Sequence, residues 1–97
     1  MKINISTAAN QDLMDGYFFY DRQSKGLGMY FLDTLFSDID SLRIYAGIHS
    51  IHFNKYYRLL SKRFPFAIYY QIEDNIAYVV AVLDSRSDPG KASKRLK

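Results

Sequence analysis

Arg58 and Arg86 are the residues of this 97-residue chain best suited to binding chemistry, since each stands beside an apolar, strand-like run. A guanidinium stays protonated at any physiological pH, so it makes a poor general base but a good clamp for phosphate or carboxylate. Placed at the margin of a sheet, the two would grip an anion or a protein partner; alternatively they pair with Asp84, Asp88 or an acid of the helices. Lys62 and Arg63 add positive potential close by, or are solvated turn charges. These four cations are the candidate target- or phosphate-binding set, with Arg58 and Arg86 the candidates for any catalytic role. His49 and His52 stand three apart with no carboxylate or cysteine near them in sequence, so no metal site is expected. Tyr69 and Tyr70, adjacent on one strand, must point to opposite faces, so one at most serves a site.

The elements that carry these residues can be read from periodicity. Lys2 to Ser6 alternates polar and apolar, which predicts a short edge strand, and Ser6 or Thr7 can cap the helix that follows. Over 7–24, Leu13, Tyr17 and Tyr20 recur at helical spacing beside Met14 and Phe18. The series Tyr17, Phe18, Phe19, Tyr20 is then core or partner surface rather than a base-stacking platform. Gly16 weakens the middle of that helix by about 1 kcal/mol relative to alanine. After the breaker Lys25-Gly26-Leu27-Gly28, a repeat through Leu27, Phe31, Leu35, Ile39, Leu42 and Ala46 predicts one long second helix ending at Gly47. Two helices with a short link form a hairpin whose apolar face needs a sheet.

The second half supplies that sheet. The spacing predicts a strand within 51–61, after an irregular start around Asn54 and Lys55, and clearer strands at 66–73 and 76–84, joined through Asp74 and Asn75 in a tight turn. Phe66, Ile68, Tyr70 and Ile72 share one face of the first. In the second, Ile76, Tyr78, Val80 and Val82 alternate with Ala77, Val79, Ala81 and Leu83, so it is apolar on both sides and belongs inside the sheet. Pro65 marks a strand entry, and the basic tail after Pro89 is either a short docked helix or frayed. The expected fold is α+β: an N-terminal strand and an α-helical hairpin on a small, mainly antiparallel sheet, all in a single domain over 1–97.

Composition bounds the function. The chain has no cysteine and a net charge of +3. That charge is uneven, since residues 1–50 carry four Lys/Arg against six Asp/Glu (−2) and residues 51–97 nine against four (+5). An anionic partner for the second half, or ordinary surface lysine, would each account for it. Lack of a signal-like segment or a long apolar run predicts neither secretion nor membrane spanning, and lack of thiols fits a reducing cytoplasm.

With this order of elements in view, the chain resembles the RelE/ParE superfamily of bacterial type II toxin–antitoxin toxins. The likeness rests on Ala9, Asp12, Leu13, Tyr17 and Tyr20; on Gly26-Leu27-Gly28 and Phe31-Leu32; and most specifically on Tyr57-Arg58, Arg63-Phe64-Pro65-Phe66, Tyr69-Tyr70 and the run Leu83 to Pro89. The resemblance implies a bacterial cytoplasmic toxin neutralised by a cognate antitoxin, without a cofactor. Its target is either the ribosome and its messenger RNA, cut by an endoribonuclease of RelE type, or DNA gyrase, inhibited without enzymatic chemistry by a toxin of ParE type. Arg58 and Arg86 match basic positions of the nuclease pattern. Leu60 and Ala67 stand where that pattern has a lysine and an arginine, Asp84 stands where a histidine is common, and no tyrosine follows Tyr78. The helical hairpin and Arg63-Phe64-Pro65-Phe66 are closer to the ParE branch. A degenerate, non-toxic antitoxin-binding relative is the third expectation, and homo- or hetero-oligomers are compatible with all three.

Overall fold

The computed structural model describes residues 1–86 and 88–97. In chain order the elements are β1 (Lys2–Ile5), α1 (Thr7–Gln23), α2 (Leu27–Asp40), α3 (Leu42–Tyr45), β2 (Ser50–His52), β3 (Tyr56–Leu60), β4 (Phe66–Glu73), β5 (Ile76–Asp84) and α4 (Pro89–Leu96). The sheet runs β1-β5-β4-β3-β2, with β1 parallel to β5 and the other neighbours antiparallel. This is the expected α+β architecture, with β5 inside the sheet and the tail docked as α4. Among the described residues, no helix is long and apolar enough to cross a membrane.

α1 starts where the Ser6 hydroxyl accepts the Ala9 amide at 3.0 Å. Its buried stripe is Ala9, Leu13, Gly16 and Tyr20, whereas Met14 and Phe18, expected beside the apolar face, are exposed. The small residues Ala9 and Gly16 decide this, because they let the helix lie close to its neighbours. A Cβ on Gly16 would stand 2.4 Å from Phe31 Cζ, so the glycine that propensity marks as a weakness is the contact that admits the Phe31 ring. Gly28 does the same from α2, where a Cβ would meet the Tyr17 carbonyl oxygen at 2.7 Å. Between the helices, Asp21 Oδ1 accepts the Gly26 and Gly28 amides at 3.1 and 3.2 Å, so α1 caps the start of α2.

Three local expectations need correction. The second helix is not continuous to Gly47: it breaks at Ser41, whose hydroxyl donates to the Asp38 carbonyl at 2.6 Å and competes with the helical ladder. The segment 51–61 is two strands rather than one, because Phe53 and Asn54 both adopt φ of 58° and reverse the chain. The third correction is a bulge. Tyr69 pairs with Ala81 but Tyr70 with Val79, which leaves Val80 as an extra residue on β5. Val82 therefore joins Ala77 and Val79 on the helix side, while Val80, Ala81 and Leu83 turn to the face under α4.

The main core lies between the helices and the sheet, and its aromatic centre is Tyr20, Phe31, Phe64 and Phe66. A second, smaller cluster on the opposite face places Leu96 of α4 against Ala67, Tyr69 and Ala81. Tyr69 and Tyr70 thus face opposite sides, as their adjacency requires.

Candidate functional site

Arg58 sits in the middle of β3, opposite Ser50 on one side and Tyr69 on the other. Tyr57 takes the helix-side face, so Arg58 falls on the face shared with α4. There it lines a cleft of about 170 Å³ with His52, Tyr69, Leu83, Asp84 and Asp88. Arg58 Nε is buried without a hydrogen-bond partner, and among the described residues the guanidinium forms no ion pair. An unmet buried donor costs stability, so a cation in this state is suited to an incoming acceptor, a phosphate or carboxylate oxygen above all. His52 is held below its usual pKa by burial and then by the Arg58 charge, both of which favour its neutral form.

Arg86 is differently placed. It lies just past β5, and its amide and guanidinium both bond Asp84, with the ion pair at 3.2 Å. Burial would raise the Asp84 pKa, but the hydrogen bonds and charge of Arg86 outweigh it and hold the carboxyl below its usual value. The structure therefore brings both arginines to the neighbourhood of Asp84, one lining the cleft with it and the other paired to it. The structural pairing anticipated for these arginines is realised at Arg86 and not at Arg58.

Lys62 and Arg63, in the β3–β4 loop, are elsewhere. They line a separate cleft of about 520 Å³ with Tyr30, Asp33, Asp38 and Ser41. Arg63 donates to the Tyr30 hydroxyl at 2.6 Å and stacks its guanidinium 5.9 Å from that ring, so it is bound to α2. Asp38, only 8% exposed, accepts the Ser61 hydroxyl at 2.6 Å and anchors the same loop. The four cations named by sequence therefore divide into two surfaces. Sequence gave no sign of His52 beside Arg58 or of Tyr30 beside Arg63, since both contacts join distant or alternating positions.

Among the described residues, no cluster of three or more side chains able to hold a metal ion includes His49. Instead Tyr70, fully buried on β4, receives the Gly47 amide on its hydroxyl at 2.9 Å and hydrogen-bonds His49 Nδ1. With Gly47 donating, the phenol proton remains available to a bare Nδ1. Burial lowers the His49 pKa, in agreement with a neutral ring. A histidine whose folded pKa lies below its free value of 6.5 supports the fold fully above that pH. The support is lost as pH falls through 6.5 toward the folded value. Thermal unfolding should therefore show a Tm that drops between pH 7 and pH 5, and His49→Gln should flatten the drop, leaving the part due to His52. An unchanged pH profile in His49→Gln would contradict the clasp.

No family model matches the sequence, and no curated protein matches it. The fold does match solved structures. A chain of the structure described as "Chromosomal ParDE TA system from P. aeruginosa" superposes with a TM-score of 0.78 at 14% identity, covering 84% of this chain and 92% of that one. The element order, the mixed five-stranded sheet and this superposition agree: the chain shares the α+β fold of that ParDE-system chain.

Proposed function

We propose that this chain is the toxin of a bacterial type II toxin–antitoxin system, a ParE-like growth inhibitor that acts on DNA gyrase in the cytoplasm and is neutralised by a cognate antitoxin. The 97 residues act as one toxin domain, and carriage on a plasmid would give the pair a plasmid-stabilisation role. The fold likeness to a ParDE chain is the observation that carries the reading. The gyrase branch draws support from position 67. Ala67, where the nuclease pattern has an arginine, is 1% exposed and packed against Leu96, so the spot has neither the cation nor room for one. Arg86, the other basic match, is already held by Asp84. What is left, an unpaired Arg58 in a cleft with aromatic and carboxylate walls, suits anchoring a protein better than in-line chemistry on RNA.

Induced expression of the chain alone should arrest growth, and co-expression of the product of the neighbouring reading frame should restore it. Purified protein should inhibit gyrase supercoiling, with Arg58→Ala weakening inhibition by about tenfold while leaving Tm nearly unchanged. Intact supercoiling beside a growth defect would reject gyrase as target. The buried, unpartnered Arg58 Nε favours one other reading, a ribosome-dependent endoribonuclease with Arg58 on phosphate. New message ends mapped by primer extension after induction would establish that reading, and their absence would discard it. Soluble expression without any growth defect would leave a non-toxic antitoxin-binding relative.

A further inference from the structure

The cleft around Arg58 limits the group it can admit. Its volume of about 170 Å³ is well below the roughly 300 Å³ at which small-molecule sites begin, so a nucleotide is too large for it and a single side chain is not. Phe53, Leu83, Pro89 and Ala92 supply apolar wall for the methylenes of such a side chain. Among the described residues that line it, Arg58 is the one Lys or Arg, and His52 favours its neutral form. Arg58 Nε, buried and without a partner, is the open donor. An Nε–H and the neighbouring Nη–H of a guanidinium point in parallel, an arrangement that a planar carboxylate meets with both oxygens at once.

The rim separates a carboxylate from a nucleic-acid phosphate. Asp84 and Asp88 line the same cleft, yet among the described residues neither forms an ion pair with Arg58. Asp84 is paired with Arg86, and Asp88 accepts the Gly90 amide at 2.9 Å as the cap of α4. Their charges are thereby offset by a guanidinium and a helix N-terminus, so one more carboxylate can enter beside them. A run of phosphates cannot. A phosphodiester lies mid-chain with a substituent on either side, and its neighbours would meet Asp84 and Asp88 where a nucleic acid needs further cations. At longer range, the cleft wall belongs wholly to residues 51–97, whose net charge of +5 draws an acidic protein surface. We propose that the Arg58 cleft is a socket for one glutamate or aspartate side chain of a protein partner, held side-on by the Arg58 Nε–H and a terminal N–H. The proposal rests on the toxin reading for the identity of that partner, antitoxin or gyrase, and not for the chemistry of the socket.

The purified wild-type chain tests the socket without any toxicity. In proton–nitrogen correlation spectra, the Arg58 Nε–H signal should move saturably on addition of N-acetylglutamic acid α-methylamide, a blocked residue with one carboxylate, with a dissociation constant of about 10 mM. The matching glutamine probe and dimethyl phosphate, a monoanion like one nucleic-acid phosphate, should bind at least about fivefold more weakly. Arg58→Lys keeps the charge and loses the parallel donors, so the amides around its cleft should not respond to the glutamate probe. The same variant should weaken by about tenfold either the complex with the product of the neighbouring reading frame or the inhibition of gyrase, and the one weakened holds the carboxylate. A saturable glutamate response in a chain that leaves gyrase untouched would reject the gyrase reading and keep the socket. Dimethyl phosphate or the glutamine probe binding as tightly as the glutamate probe would overturn the socket, whatever the chain inhibits. So would an Arg58 signal that does not respond to the glutamate probe at all.

Discussion

Gly28→Ala is expected to cost about 3 kcal/mol of folding stability and to lower Tm by more than about 10 °C. The added methyl would stand 2.7 Å from both the Tyr17 carbonyl oxygen and Tyr17 Cδ1, and 2.8 Å from Asp21 Cβ. Two of these three atoms belong to or adjoin the α1 backbone, so no single side chain can step aside. Relief would need the hairpin to open, which would pull Asp21 away from the amides it caps and Phe31 out of its seat at Gly16. Gly26→Ala is the internal control. It has a left-handed φ of 92° but open space around it, so it should cost only about 1 kcal/mol of conformational strain. Urea melts of the two variants decide the matter, and equal losses would mean that close helix approach is not what Gly28 provides.

Asp12→Ala is the second large expectation, at about 3 kcal/mol. β1 accompanies β5 only as far as Val79, where the chain leaves the sheet to enter α1. Asp12, on the first turns of that helix, takes over: its Oδ2 accepts the Val82 amide at 2.9 Å. The same carboxylate receives both terminal nitrogens of Arg95 at 2.8 and 2.9 Å, with only 12% of the Asp12 side chain exposed. One residue therefore completes the hydrogen bonding of β5 beside its bulge and fastens α4 across the opposite face. Removal leaves a strand amide and a partly buried guanidinium without acceptors. Asp12→Asn keeps one acceptor and loses the charge, so its effect should fall between wild type and alanine, while Arg95→Ala should cost about 1 kcal/mol. Hydrogen exchange should show the Val82 amide and the α4 amides opening together in Asp12→Ala. Protection of α4 equal to wild type would refute this fastening.

The strands β4 and β5 were legible to the residue because their boundaries are written in local chemistry: Pro65 before, Asp74 and Asn75 between, and uninterrupted apolar runs within. The N-terminal strand and the Ser6 cap were legible for the same reason. Other features carry no local mark. Phe53 in a left-handed turn is not a residue that announces one, and in a strand apolar on both sides a bulge at Val80 leaves the pattern unchanged. The break at Ser41 depends on one hydroxyl choosing a backbone carbonyl. The site followed the same division. Arg58 and Arg86 could be picked out as cations beside apolar, strand-like runs, and their convergence on Asp84 follows from register. Arg63 and Tyr30 are 33 residues apart, and Asp12 meets its partners across 70 and 83, so only the folded chain reveals them.

The parallel pairing of β1 with β5 also orders events during synthesis. Lys2 pairs with Ile76 and Ile5 with Val79, so β1, the earliest made of the five strands, waits for β5, the latest. The helical hairpin and the β4–β5 hairpin are local and can form early, whereas closing β1 onto β5 spans 74 residues and comes late. Until then α1 has no strand to lie on. Leu83 and Asp84, which wall the Arg58 cleft, are made later still. A nascent or truncated chain thus carries its cations without the cleft that arranges them. The cleft is complete only once β5 and the start of α4 have been made.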